Sequence, residues 1–199
     1  MLTIVINAGG ESLRMGENKA LKLFAGQPLI ARMVARVEPI AQELLITTNQ
    51  PQAFEFLGIP LVADKLPGKG ALSGLYTAVA AAHHPLVAVL ACDMPFINPG
   101  LLVAQLEIAL AERADVVIPW SSQGMEPLHA IYRQSTCLPA IEAALRADQR
   151  KMVSWFSSVK VREMQVDEVA PFDPQFHSFI NVNTPQEFQQ AELLEPRKI

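Results

Sequence analysis

Apolar and polar positions along the chain follow a pattern that predicts strands alternating with helices. Residues 2–6 form an uninterrupted apolar run, which is typical of a strand buried on both faces of a parallel sheet. In residues 28–38 the apolar positions recur at helical spacing, and Pro28 suits a first helical turn while Pro39 suits a stop. Residues 86–91 form the most apolar run, so we expect that strand at the centre of the sheet.

The remaining elements of the first half continue this alternation, and those of the second half are less regular. Before residue 120 the pattern predicts strands over 43–48, 60–63 and 115–119, a short helix over 53–57, and helices over 71–82 and 98–112. After residue 120 it predicts strands over 128–132, 159–166 and 179–181, and helices over 137–146, 152–156 and 185–194. Because no linker or internal repeat interrupts it, the chain is predicted to be a single α/β domain with right-handed crossovers.

Composition and charge argue against several classes of protein. Half of the 199 residues are apolar and 18% are charged, which is typical of a folded domain rather than a disordered chain. The net charge of -4 argues against a general nucleic-acid surface, so an anionic substrate would be met by a few placed cations. Cys92 and Cys137 lack metal-ligand spacing and are interpreted as buried thiols. No apolar run reaches the ~18 residues of a membrane span or forms a signal peptide, so we expect a cytoplasmic protein.

Candidate chemistry begins in the loop after the first strand, where residues 7–19 read NAGGESLRMGENK. Gly9 and Gly10 let backbone NH groups approach an anion, and Arg14 and Lys19 can add charge-assisted contacts to phosphates. The spacing fits neither a Walker A loop nor a dinucleotide-binding fingerprint. From the residues alone, a glycine-rich connector with solvated charges remains the alternative to a phosphate-binding loop.

Two carboxylates follow predicted strands and are therefore expected at the carboxyl edge of the sheet, where open α/β sheets bind ligands. Asp93 comes directly after the central strand and can hold Mg²⁺, although a turn aspartate before Pro95 is the alternative. Asp64 follows the third strand, and its carboxylate can accept the N1 and N2 hydrogens of guanine. A capping aspartate is the alternative interpretation of Asp64.

Motifs in this order resemble those of the nucleotidyltransferases that activate sugars and cofactors, and most closely the molybdenum cofactor guanylyltransferases (MobA proteins). They are AGGESLRMGENK in the first loop, DKLPGKGALSG from Asp64, ACDMPF around Asp93, and FINVNTP at 179–185. EPLHAIY at 126–132 is similar to a segment that lines the acceptor pocket of the family. Asn7 stands where the family usually has leucine, so we expect it to contact the nucleotide through its main chain. Two further departures are Ala71 in place of proline and Ser73 in place of alanine.

The resemblance implies a Rossmann-like three-layer α/β fold of the nucleotide-diphospho-sugar transferase type, with a largely parallel mixed sheet. About residues 1–119 would bind the nucleotide and about residues 120–199 the acceptor. The implied reaction is Mg²⁺-dependent transfer of GMP from GTP to the terminal phosphate of molybdopterin, with release of pyrophosphate. Lys19, Arg14 and Asp93 would be catalytic, with Asp93 as the metal ligand. The implied nucleotide-binding residues are Asn7, Ala8, Gly9, Gly10, Lys19, Asn49, Asp64, Gly70 and Asp93, and the implied acceptor-binding residues are His129, Asn181 and Asn183.

Several alternatives stay open from the sequence. Cytidylyltransferases acting on the same pterin tend to have Ala-Ala-Gly and Asp-Gln-Pro, so the AGG and DMP sequences here favour guanine. The other interpretations are a transferase that joins another nucleotide to a sugar phosphate, a non-catalytic GTP sensor, and an α/β domain with purely structural loops. His129 alone fits an ordinary histidine at the edge of the core, Asn49 fits a turn asparagine, and Asn181 and Asn183 should face opposite ways on a regular strand. We expect a monomer that contacts cofactor-insertion proteins or molybdoenzymes transiently.

Overall fold

The structure is a computed structural model, which describes residues 1–9, 18–66 and 70–195. Among these residues the strands are β1 (Leu2–Asn7), β2 (Leu23–Phe24), β3 (Gln27–Pro28), β4 (Glu43–Thr47), β5 (Leu61–Val62), β6 (Leu86–Ala91), β7 (Val116–Ser121), β8 (Gly124–Met125), β9 (His129–Arg133) and β10 (Val161–Met164). The α-helices are α1 (Leu29–Val37), α2 (Ala71–Ala81), α3 (Pro99–Ala111), α4 (Gln134–Arg146), α5 (Val166–Val169) and α6 (Pro185–Leu193). Within the described ranges, no helix is both long and apolar enough to cross a bilayer.

A mixed sheet runs through the molecule in the order β10-β7-β9-β6-β1-β4-β5, with β8 paired to the end of β7. β9 is antiparallel to both of its neighbours, and the other pairs in this order are parallel. β6 is the middle strand of the order, as the apolar run at 86–91 predicts. The separate hairpin of β2 and β3 packs beside α6 through Phe24. The predicted α/β fold with a largely parallel mixed sheet is therefore confirmed.

The two faces of the sheet carry separate hydrophobic cores because successive side chains of a strand point to opposite faces. From β1, Leu2, Ile4 and Ile6 pack into one core and Val5 packs into the other. The first core also contains side chains of α1 and α3, and the second contains side chains of α2 and α4. The chain therefore forms three layers, and burial on both faces accounts for the uninterrupted apolar run of β1.

The prediction that both cysteines are buried thiols is confirmed. Cys92 and Cys137 are free thiols, and both are buried. Burial raises the pKa of each thiol to about 12, so both stay protonated at neutral pH. A protonated thiol is a poor nucleophile and a poor metal ligand, so neither residue adds chemistry of its own.

Two helices begin at side-chain caps that lie next to their first residue. The side chain of Asn98 accepts hydrogen bonds from two backbone NH groups in the first turn of α3, and Pro99 is the first helical residue. Thr184 caps α6 in a reciprocal arrangement with Glu187, in which each side chain accepts from the backbone NH of the other residue. These local contacts explain why both helix starts are predictable from short stretches of sequence.

The strand predicted at 179–181 is absent, and this prediction was wrong. A 3-10 helix, His177–Phe179, occupies the start of the segment. The backbone NH of Val182 then donates to the carbonyl of Asp93 (2.9 Å) instead of to a neighbouring strand. The segment is therefore fixed against the residue that follows the central strand.

Three other predicted segments also differ. Residues 152–155 form turns and a 3-10 helix, Phe156–Ser158, follows them in place of the predicted helix, and the indole NH of Trp155 donates to the carbonyl of Met152 (2.8 Å). Two 3-10 helices, Pro51–Ala53 and Glu55–Leu57, replace the short helix predicted at 53–57. The strand predicted at 159–166 ends early because Gln165 and Glu168 form a capping box that starts α5.

Candidate functional site

The carboxyl ends of β1, β4 and β6 lie level with one another at one edge of the sheet. Asn7 is the register partner of Thr47 in β4 and of the last residue of β6. The alignment continues beyond the strands, since the NH of Ala8 donates to the carbonyl of Thr47 (2.8 Å) and the NH of Cys92 to the carbonyl of Asn7 (3.2 Å). The start of the glycine loop and Asp93 therefore lie at the same edge, as the general rule for open α/β sheets predicts.

Lys19, Asp93 and Asn183 meet in direct contact at this edge. The Nζ atom of Lys19 lies 2.6 Å from Oδ2 of Asp93 and 2.5 Å from Oδ1 of Asn183. Lys19 begins a one-turn 3-10 helix whose cap is the side chain of Asn18, which accepts a hydrogen bond from the NH of Ala20 (3.1 Å). The structure thus brings together three residues that the sequence places in three separate motifs.

Asn183 is held by the backbone on both sides of it. The NH of Val182 donates to the carbonyl of Asp93 (2.9 Å), and the NH of Asn183 donates to Oε2 of Glu187 (2.6 Å). The same carboxylate oxygen accepts from the NH of Thr184 (2.9 Å). These backbone contacts lower the pKa of Glu187. The start of α6 therefore fixes the position of Asn183 next to Asp93.

Asp93 fits the requirements for a divalent cation. Its side chain is 11% exposed, and its Oδ1 atom has no hydrogen-bond partner among the residues that the structure describes. A buried carboxylate oxygen without a partner is costly, and Mg²⁺ prefers oxygen ligands. In the same residues no cluster of three or more His, Cys, Asp or Glu side chains could hold a metal. Asp93 therefore suits a cation that takes most of its ligands from phosphates and water, as Mg²⁺ commonly does.

The first two residues of the glycine loop use their NH groups inside the protein. The NH of Ala8 bonds to Thr47, and the NH of Gly9 donates to Oδ1 of Asn7 (3.1 Å). The NH groups of Ala8 and Gly9 are therefore already occupied within the protein. Gly10 and Arg14, which the sequence assigns to phosphate binding, lie outside the described residues, and their roles stay predictions.

Asp64 and Asn49 lie together at the ends of β5 and β4. The NH of Asp64 donates to Oδ1 of Asn49 (3.1 Å). Oδ1 of Asp64 accepts from the hydroxyl of Thr77 in α2 (2.7 Å) and from the NH of Leu66 (3.2 Å). Asp64 therefore makes a local bond to the NH of Leu66, while α2, whose N-cap is Gly70 and not Asp64, orients its carboxylate through Thr77. Gly70 lies at the start of α2 with a φ of 84°, a conformation that favours glycine.

A polar cavity of about 490 Å³ adjoins this edge on the side of Asn183. Its lining residues are Ser121, Ser122, Gln123, Gln175, Phe176, Phe179, Ile180, Asn181, Asn183 and Glu187. Asn181 and Asn183 line the same cavity, although these two residues were expected to face opposite ways only on a regular strand. They do so because the segment is not a regular strand. Through Asn183 the cavity reaches the Lys19–Asp93 pair.

His129 does not line the cavity, which corrects its predicted direct contact with an acceptor. Its ring is fully buried and packs edge-on against Phe179, with 5.2 Å between the ring centroids. Burial lowers the pKa of His129 to about 4, so the ring is neutral at pH 7. Both ring nitrogens lack a hydrogen-bond partner in the described parts of the chain. His129 therefore lies behind the wall of the cavity, where it matches the alternative of a core-edge histidine.

Sequence reasoning missed two contributors to this region. Phe176 and Phe179 give the cavity its aromatic wall, yet both resemble ordinary core residues in the sequence. Residues 121–123 enter it from the hairpin between β7 and β8. The polar stretch SSQG between two apolar segments signals that hairpin, but not its position beside Asn181.

The fold and this edge together define a class of protein: a three-layer α/β domain whose strand ends present a glycine loop, a lysine–aspartate pair and a polar cavity. Residues 4–163 match the family model described as a MobA-like NTP transferase domain. The chain therefore belongs to the family of MobA-like NTP transferases.

Individual relatives are similar along almost the whole chain. A probable molybdenum cofactor guanylyltransferase from Carboxydothermus hydrogenoformans is 36% identical over 193 residues, which cover 95% of this chain and 94% of that protein. One from Pelotomaculum thermopropionicum is 34% identical, with 96% and 92% covered. The crystal structure of molybdopterin-guanine dinucleotide biosynthesis protein A from Archaeoglobus fulgidus has a TM-score of 0.82 and 26% identity, and covers 98% of both chains.

Proposed function

We propose that this protein transfers GMP from GTP to the terminal phosphate of molybdopterin, releasing pyrophosphate and forming the guanine dinucleotide form of the cofactor. The observation that carries the proposal is the contact of Lys19 with both Asp93 and Asn183. This contact joins the glycine loop to the polar cavity, so a nucleotide on one side and an acceptor on the other would meet at it. The names of the relatives support guanine as the base and the molybdenum cofactor as the acceptor.

On the nucleotide side, we assign the phosphates to the loop that begins at Gly10 and the base to the region of Asp64. The NH groups of Ala8 and Gly9 are already bonded within the protein. These two residues would therefore offer the nucleotide their carbonyl groups and a backbone that it can approach closely. Thr77 and Asn49 orient Asp64, whose carboxylate can accept the two hydrogens that guanine presents at N1 and N2. Gly70 would let the backbone before α2 pass close to the base.

Transfer then requires an acceptor phosphate oxygen in line with the α-phosphorus of GTP. That phosphate is already ionised near neutral pH, so no general base is needed, and the catalytic effect comes from positioning and charge stabilisation. Lys19 would neutralise the pyrophosphate as it leaves, together with Arg14. Asp93 would hold Mg²⁺, which when bound neutralises charge on the phosphates.

On the acceptor side, the cavity offers amides, hydroxyls and aromatic rings. Among the residues that the structure describes, Glu187 is the one charged residue in its lining, and its carboxylate is already bonded to backbone NH groups. Such a lining suits a neutral, polar ring system, with its phosphate directed toward Lys19. Asn181 and Asn183 would hold the acceptor directly, and His129 would act only by supporting Phe179. We further propose a cytoplasmic monomer that contacts cofactor-insertion proteins or molybdoenzymes transiently.

Pyrophosphate release tests this function. Purified protein is given Mg²⁺, molybdopterin and one of GTP, CTP, ATP or UTP, beside the variants Asp93→Ala and Asp148→Ala. Asp148 is an exposed aspartate, and its side chain is 85% accessible, so it is the matched control. We expect release with GTP alone, a loss of at least about 100-fold in Asp93→Ala, and unchanged release in Asp148→Ala.

Other outcomes separate the remaining candidates. Pyrophosphate release with CTP would be consistent with the proposed mechanism but would contradict the role of Asp64 in selecting guanine. Release with a sugar phosphate in place of molybdopterin would change the acceptor. Binding of GTP without release of pyrophosphate would favour a non-catalytic sensor, and full activity in Asp93→Ala would contradict the assigned centre.

A further inference from the structure

Asn7 contacts four parts of the candidate site, three through its side chain and one through its backbone carbonyl. Its Oδ1 atom accepts from the NH of Gly9 (3.1 Å) and from the hydroxyl of Thr47 (3.2 Å). Its backbone carbonyl accepts from the NH of Cys92 (3.2 Å), the residue before Asp93. The side chain therefore points into the protein, and it connects the glycine loop with the end of β4.

The amide nitrogen of the same side chain lies against α2. A Cβ atom built on Gly74 would lie 2.8 Å from Nδ2 of Asn7, a separation too short for two non-bonded heavy atoms. Gly74 therefore leaves the room that the Asn7 amide needs. Because Oδ1 is held by two hydrogen bonds, the amide could yield to a larger residue only by giving up its contacts to Gly9 and Thr47.

We infer that Asn7 is a positioning residue that holds Gly9 at the end of β1 in a fixed place relative to β4 and α2, and that Asn7 is the reason position 74 must be glycine. The inference rests on the proposed function, in which the loop binds the phosphates and α2 orients Asp64 toward the base. Asn7 acts on the nucleotide through Gly9 and is not itself a catalytic residue.

The effect on binding follows from which contacts are lost. In Asn7→Ala, Gly9 loses the acceptor of its NH, so the point from which the proposed phosphate-binding segment starts is held less firmly. We expect the KM for GTP to rise about 10-fold, which is the effect of one or two neutral hydrogen bonds, while the KM for molybdopterin is unchanged. Thr47→Val removes only the hydroxyl that donates to Asn7, so its effect should be smaller and should vanish in the Asn7→Ala background.

A double-mutant cycle between Asn7 and Gly74 gives the decisive test. Alone, Gly74→Ala should displace the amide of Asn7, raise the Kd for GTP about 10-fold and give no increase in Tm. In the Asn7→Ala background the obstacle is gone, and alanine favours a helix over glycine. There Gly74→Ala should raise Tm by about 2 to 4 °C and leave the Kd for GTP unchanged.

The outcomes distinguish this inference from the proposed function. Additive effects of the two substitutions on Tm and on GTP binding would overturn the inference, as would an unchanged KM for GTP in Asn7→Ala. Wild-type protein that binds GTP but releases no pyrophosphate would contradict the proposed function, and the cycle would still decide the role of Asn7 from binding and Tm. Equal increases in the KM for GTP and for molybdopterin would indicate general damage to the fold, against the inference.

Discussion

At the scale of single residues, Asp93 has two competing partners. The ammonium of Lys19 contacts one carboxylate oxygen, and the proposed Mg²⁺ would contact the same group. Separating two partly buried charges is costly, and the phosphates of a nucleotide would offset that cost by giving Lys19 a new anionic partner. The residue types are predictable from the motifs. The motifs do not predict that Lys19 contacts Asn183, because 164 positions separate the two residues along the chain.

His129 supports a prediction at the same scale. Burial lowers the pKa of His129 from 6.5 to about 4. Between these two pH values the imidazole is protonated in the unfolded chain and neutral in the folded protein, so lowering the pH favours unfolding. Wild type should therefore lose about 2 kcal/mol more of its free energy of unfolding than His129→Leu between pH 7.5 and pH 4.5. Urea unfolding at the two pH values measures this difference. Equal losses in both proteins would show that His129 is protonated in the folded state.

At the scale of elements, an ion pair holds Glu195, which follows α6, against α1. Arg32 of α1 is buried, and its Nη2 atom donates to both carboxylate oxygens of Glu195 (2.7 and 2.6 Å). Its Nε atom donates to the carbonyl of Pro95 (3.0 Å), two residues after Asp93. The pair therefore ties the region after α6 to the segment that follows the central strand.

This arrangement predicts a measurable loss of stability in Glu195→Gln. The substitution leaves the buried guanidinium of Arg32 without its counter-charge, so we expect the free energy of unfolding to fall by about 2 kcal/mol. Glu142→Gln is the matched control, since Glu142 forms an exposed helical pair with Arg146 and should change stability by less than about 0.5 kcal/mol. Urea unfolding at neutral pH compares the two. If both substitutions lowered the free energy of unfolding by the same small amount, solvent would be replacing Glu195 as the partner of Arg32.

The elements also show which parts of the fold can be predicted from sequence. α3 and α6 are predictable because Asn98 and Thr184 cap them from the adjacent position. The conformation of residues 179–181 cannot be predicted from local sequence, because it depends on the contact of Val182 with Asp93, which lies far away in the sequence. Apolar alternation alone cannot distinguish such a segment from a strand.

At the scale of the whole molecule, the register of the parallel strands assembles the site. Pairing of β1 with β4 and β6 brings the residues after each strand to one edge, so the order of the motifs predicts which of them meet. The second half of the chain adds the cavity, whose lining residues all follow residue 120. Its shape depends on how a hairpin, a 3-10 helix and the start of α6 pack together, which local sequence patterns do not encode.

We propose that the contact of Lys19 with Asp93 and Asn183 is the centre of transfer. Its most direct test is the kcat for pyrophosphate release with GTP and molybdopterin in Lys19→Ala, compared with Lys22→Ala. Lys22 lies three positions further on, over the ring of Phe188 at 5.4 Å, and is the matched control. We predict a fall of about 100-fold or more for Lys19→Ala and wild-type turnover for Lys22→Ala. Full turnover in a folded Lys19→Ala protein would contradict the claim.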